Sequence, residues 1–176
     1  MYQGIIVAGF GGQGVISMGI MLAYAGMVDN KHVTFFPAYG AEMRGGTANC
    51  SVIVSTDEVD SPVVGQPDSL LVMNEPSFAK FEPTIRPGGR LFINTSLVSS
   101  KSKRKDIQVI DVPANKVAEE IGTLKIANMV MAGALIKHTG AIARDAIIKS
   151  LGIVYSRAKP EMLKMNETAI KRGGEF

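Results

Sequence analysis

Short apolar runs broken by glycine and proline fill the first two thirds of the chain, and longer segments with helical spacing fill the last third. Gly4-Ile5-Ile6-Val7-Ala8 is a continuous apolar run that ends in glycines and leads into a long apolar stretch, which predicts strand, tight loop and helix in that order. The stretch from Val15 to Val28, about fourteen residues, is interrupted by Ser17, Gly19 and Gly26 and falls short of the roughly 20 residues needed to span a bilayer. It reads as a buried helix.

Further strands are predicted at His32 to Phe36, stopping at Pro37, at Thr47 to Ser55, and at Ser69 to Met73, where an unbroken apolar run suits a strand covered on both faces. Arg90 to Thr95, after the turn Pro87-Gly88-Gly89, and Ile107 to Val112 complete the set. Helices are expected at Ala114–Ile121, Ile126–His138, Arg144–Ser150 and Pro160–Lys171, the last amphipathic and followed by a frayed Arg172-Gly173-Gly174 tail. There is no internal repeat and no linker. The expectation is an α/β fold: a single domain over residues 1–176, with a largely parallel sheet flanked by helices and a Rossmann-like opening.

Composition narrows the chemistry. With 46% hydrophobic and 20% charged residues the chain can bury a core, which excludes intrinsic disorder. The N-terminal Met1-Tyr2-Gln3-Gly4 has no basic region ahead of its apolar run, so a cytoplasmic location is expected and the Asn-x-Ser/Thr sequons count as accidents. One cysteine, Cys50, cannot form an internal disulfide or supply the four thiolates of an iron–sulfur cluster. His32 and His138 lie far apart without ligand spacing, so no metal site is expected on this chain. A net charge of +3, with no basic stripe and no recognition motif, gives no reason to expect nucleic acid as a partner.

Two glycine-rich loops carry the candidate chemistry. In Gly9-Phe10-Gly11-Gly12-Gln13-Gly14, Gly9, Gly11 and Gly14 fit the spacing that lets backbone approach a phosphate beside a helix N-terminus. A dinucleotide site also needs an acid at the end of the next strand, where this chain has Phe35-Phe36-Pro37-Ala38. A free-standing NADP- or flavin-nucleotide-binding oxidoreductase stays open as an alternative, as does a packing role for the glycines. No P-loop is present, because Lys-Ser/Thr does not follow Gly14. The second loop, Tyr39-Gly40-Ala41-Glu42-Met43-Arg44-Gly45-Gly46, places one carboxylate and one guanidinium in a segment without a regular pattern.

Three segments together resemble the gamma subunit of 2-oxoacid:ferredoxin oxidoreductases: Gly9 to Val15, Tyr39 to Cys50, and the Pro-Gly-Gly-x-Leu-x-x-Asn-x-Ser pattern of Pro87 to Ser96. The helix segment Asn128 to Leu135 is similar to the family's late helix, and Ala41 stands where the family usually has proline. Gly-Thr-Ala-Asn-Cys at the end of the second loop looks more like the 2-oxoglutarate and branched-chain 2-oxoacid branches than the pyruvate branch. The resemblance implies one subunit, inactive alone, of a complex that oxidatively decarboxylates a 2-oxoacid, transfers the acyl group to coenzyme A and passes electrons to ferredoxin. It implies alpha, beta and ferredoxin-like delta subunits as partners, which would carry thiamine diphosphate, Mg2+ and the iron–sulfur clusters. Gly11, Gly12, Gln13, Gly14, Glu42, Arg44, Gly45 and Gly46 are then the expected coenzyme A-seating residues, with backbone and amide donors and one cation.

Lesser signals are the basic run Lys101-Ser102-Lys103-Arg104-Lys105, expected as a solvated loop, and ten methionines, most of them expected in the core.

Overall fold

A computed structural model describes residues 1–39 and 46–176. The chain runs β1 (Tyr2–Phe10), α1 (Val15–Val28), β2 (His32–Tyr39), β3 (Thr47–Ser55), β4 (Ser69–Val72), α2 (Glu75–Phe81), β5 (Arg90–Asn94), β6 (Gln108–Val112), α3 (Ala114–Ile121), α4 (Ala127–Thr139), α5 (Arg144–Val154) and α6 (Pro160–Gly173). The strands form one sheet in the order β2-β3-β1-β4-β5-β6.

The sheet is mixed. From β1 through β4 and β5 to β6 all neighbours are parallel, whereas β3 runs antiparallel to both β1 and β2. The parallel part follows from apolar runs with both faces covered: Leu70 and Val72 enter one core, Leu71 and Met73 the other. The sheet is thus largely parallel, with antiparallel pairing confined to β3, which follows β2 closely and pairs directly back onto it. β2 also passes through Pro37 instead of stopping there. It is the outermost strand, where a missing N–H leaves no gap in an inner ladder.

Two cores separate the helices. The larger one joins Ile5, Val7, Val52 and Phe92 of the sheet to α1, α3, α4, α5 and α6. The smaller one, on the opposite face, joins Ile6, Ile53, Leu91 and Ile93 to Phe78 and Phe81 of α2. The sequence reading did not include α2. Its start is marked by Asn74, whose Oδ1 accepts from the Ser77 N–H (2.9 Å), with Pro76 in the first turn.

The C-terminal tail is not frayed. Residue 173 is buried where α6 crosses α4, and a Cβ on Gly173 would lie 1.9 Å from the Val130 carbonyl oxygen, one on Gly133 2.1 Å from that of Ile170. The two glycines let the helix backbones touch, so α6 continues to Gly173. Among the described residues no helix is long and apolar enough to cross a membrane.

Candidate functional site

The loops leaving β1, β4, β5 and β6 gather at the carboxyl ends of the parallel strands, the edge where open α/β sheets hold ligands. Three depressions lie along that edge. One of about 240 Å³ is lined by Phe10, Gly11, Gly12, Gly14, Ile16 and Ser17, and one of about 160 Å³ by Gly12, Gln13, Met73, Leu97, Asn115 and Lys125. A third, of about 430 Å³, includes Ser96, Leu97, Asn115 and Lys116. Gly12 is common to the first two, and Leu97 and Asn115 to the last two, so the three adjoin in a row that is called the crevice below.

Each wall has a local cause. Gln13 is a staple: its Oε1 accepts from the Phe10 N–H (2.7 Å) and its Nε2 donates to the Met73 carbonyl (3.0 Å), tying the end of β1 to the end of β4. A Cβ at Gly9 would meet that Gln13 oxygen at 2.6 Å, so Gly9 is required by packing. Gly14, with φ +73°, caps α1 and lies under Asn128 of α4, whose Nδ2 donates to its carbonyl (3.1 Å). Gly12, with φ +97°, has nothing within 4 Å of a Cβ and forms the open apex of the loop. Of the loop glycines, Gly12 therefore faces free space, while Gly9 and Gly14 serve close approach inside the protein.

Asn94 organises the far wall. Fully buried, it donates from Nδ2 to Asn115 Oδ1 (2.9 Å) and accepts at Oδ1 from the Ala114 N–H (3.2 Å) and the Ser96 N–H (3.3 Å). The strap beyond it, residues 95–100, is held by Glu75, whose Oε1 accepts from the Ser99 N–H, the Ser99 hydroxyl (2.8 Å) and the Ser100 N–H (3.0 Å). Those donors hold its carboxyl at about 2, well below the usual carboxylate range.

Of the expected site residues, Gly11, Gly12, Gln13, Gly14 and Gly46 are brought together, and the Gly11 N–H donates to the Gly46 carbonyl (3.0 Å). Glu42, Arg44 and Gly45 lie outside the described residues. Among the described residues the α1 N-terminus has no side-chain cap and its first turn has no acidic residue, so the N–H groups of that turn border the crevice. Sequence reasoning missed Lys125, Lys116, Leu97 and Asn115, none of which sits in a glycine motif. The basic run lies elsewhere: Arg104 pairs with Asp106 and donates to the Glu82 and Ile85 carbonyls, which makes it a loop fastener ahead of β6.

The charged groups lining these depressions are the Lys116 and Lys125 ammonium groups and the Glu119 carboxylate. Among the described residues no group of three or more His, Cys, Asp or Glu is placed to hold an ion. Cys50 is fully buried and its thiol is pushed up to about 12 by that burial, so it is no thiolate ligand. The strand order also argues against a dinucleotide enzyme, because β3 lies between β1 and β2 and carries the β2 terminus one strand away from the glycine loop.

The model of the pyruvate ferredoxin/flavodoxin oxidoreductase family matches residues 4–176. The chain belongs to that family. It is 43% identical over 172 residues to the ketoisovalerate oxidoreductase subunit VorA of Methanothermobacter marburgensis, a match covering 97% of this chain and 35% of the relative. It is 35% identical over 183 residues to the 2-oxoglutarate synthase subunit KorC of the same organism, covering 100% and 97%. Among solved structures, the gamma subunit of a keto/oxoacid ferredoxin oxidoreductase from Geobacter sulfurreducens superposes with a TM-score of 0.87 at 29% identity, over 99% of this chain and 95% of that one. This oxidoreductase-family chain is thus about a third the length of VorA and nearly the full length of KorC, and is related to both branches.

Proposed function

We propose that the chain is the gamma subunit of a cytoplasmic 2-oxoacid:ferredoxin oxidoreductase that uses 2-oxoglutarate or a branched-chain 2-oxoacid, and that its crevice seats coenzyme A. The reaction converts 2-oxoacid and coenzyme A to acyl-CoA and CO2, and the two electrons released reduce two ferredoxins. Thiamine diphosphate, its Mg2+ and the iron–sulfur clusters belong on the partner alpha, beta and delta chains, since the described residues of this one do not fit them. Alone, the chain is inactive.

The observation that carries the coenzyme A assignment is the crevice itself: an open glycine apex at Gly12, an uncapped helix N-terminus and the Lys125 ammonium along one edge. Backbone N–H groups and a cation match a phosphate-bearing ligand, and the row of adjoining depressions gives room for its long arm. Gly11, Gly12 and Gly14 supply backbone, and Gln13 retains one amide hydrogen beyond its bond to Met73. Glu42, Arg44, Gly45 and Gly46 of the second loop are assigned to the same ligand, with Arg44 as a further cation in addition to Lys116 and Lys125.

The test is Lys125→Ala in the assembled complex. Loss of an exposed charge-assisted contact of about 1 kcal/mol raises the KM for coenzyme A by about fivefold and leaves the KM for the 2-oxoacid unchanged. An unchanged coenzyme A response would sink the assignment. Dye reduction with 2-oxoglutarate against 2-oxoisovalerate separates the two substrate readings.

A further inference from the structure

Helix α1 carries no charged residue over its 14 positions. A helix on the surface of a water-soluble domain normally presents a polar face to solvent, and one that is apolar all round is covered on all sides. The inner face of α1 is buried against the sheet and α5, through Met18, Met21, Leu22 and Ala25 among others. The outer face is only partly covered among the described residues: Ile16, Ile20 and Ala23 are half-buried, Ile16 and Ala23 at the margin of the core, while Tyr24 is 41% exposed and Met27 61% exposed. Their spacing of three and four residues places these five side chains in one stripe.

We propose that this stripe is the docking surface for the large thiamine diphosphate-bearing partner chain. The inference rests on the reading of the chain as one subunit of the oxidoreductase. Two observations select this occupant, and the size of the stripe sets how far the contact must extend. The stripe starts at Ile16, which also lines the crevice with Gly11 and Gly12, so a neighbour lying on α1 reaches the seat of the ligand that must meet its own cofactor. Fourteen residues at 1.5 Å each give a stripe about 21 Å long and about 10 Å wide, roughly 200 Å². That is about a quarter of the roughly 800 Å² per partner in a stable interface, so the occupant must continue past the helix onto the loops. In VorA, moreover, the matching region is 35% of the polypeptide, so a region like this one is joined there to a neighbour about twice its size.

The experiment co-expresses the chain with its partner chains and recovers the complex through a tag on this chain, measuring bound thiamine diphosphate and the identity of the co-purified chain. Tyr24→Lys and Met27→Lys put an ammonium in the stripe at exposed positions; Val63→Lys, at an apolar position 64% exposed in the segment between β3 and β4, is the control. The expected result is at least a tenfold loss of recovered partner for the two stripe variants, none for the control, and unchanged circular dichroism and melting temperature of each isolated variant. Equal recovery by the stripe variants overturns the docking surface alone. A wild-type chain that self-associates through the stripe, shown by sedimentation of dimers that the Lys variants abolish while still binding partner, overturns it in favour of a second copy. Absence of any thiamine-bearing chain with the unsubstituted protein overturns the subunit reading and this surface with it.

Discussion

Gln13→Ala tests whether the glycine loop is held by its own backbone or by the glutamine amide. The substitution removes two hydrogen bonds, Phe10 N–H to Oε1 and Nε2 to the Met73 carbonyl, both in part-buried surroundings. It also empties the space that Oε1 fills above Gly9. Two bonds at about 1 kcal/mol each, plus partial desolvation of the groups left unpaired, give a loss of about 2–3 kcal/mol. For a chain of this length each kcal/mol moves Tm by about 2–4 °C, so a fall of about 4–12 °C is expected in a thermal melt, with a lower urea midpoint at unchanged slope. Gln13→Glu adds a pH signature. It keeps the acceptor but turns an oxygen toward the Met73 carbonyl, which disfavours the carboxylate and raises its folded-state pKa above the unfolded value. Its destabilisation is therefore full at neutral pH and relieved as pH falls through that raised value. A Tm loss under about 2 °C for the alanine variant, or a glutamate variant insensitive to pH, would refute the staple.

Two further outcomes follow from the same reasoning. Cys50, its thiol pushed up to about 12 by burial, should resist iodoacetamide at pH 8 in the native chain and label only under denaturant; stoichiometric labelling within minutes without denaturant would contradict its placement under α1. Glu75, held at about 2 by the Ser99 and Ser100 donors, fastens the strap fully above the ordinary unfolded carboxylate pKa of about 4.3 and releases it as pH falls through about 2. The amide chemical shifts of Ser99 and Ser100 should titrate with that low midpoint, and a midpoint near 4.3 would show that the carboxylate does not hold them.

The strands and most helices were legible because each is specified by its own pattern. The buried run Ser69 to Met73 and the all-apolar segment Val15 to Val28 admit few other placements. Errors came where the deciding partner lies far along the chain. Pro37 ends a strand in isolation, but β2 is an edge and carries it. Gly173 looks like a loose end until Gly133 is set against it. α2 escaped notice although Asn74 and Pro76 mark its start, because its seven residues are too few to show a period.

The candidate site divides in the same way. Composition and local pattern are enough to say that a single cysteine and two distant histidines cannot supply the ligands of an iron–sulfur cluster, and that a glycine loop sits between the first strand and the first helix. The sequence also carried, in its motifs, the family to which the chain belongs. What each loop residue does emerges from the folded chain: Gln13 is a staple, Gly14 a seat for Asn128, and Gly12 the open apex. The same holds for Lys125, Leu97 and Asn115, which meet that loop only when α3, the turn between α3 and α4, and the segment after β5 are folded over the sheet edge. Local sequence sets backbone preference within a few residues. Which side chains share a crevice depends on contacts a hundred residues apart, and those exist only once the sheet order is chosen.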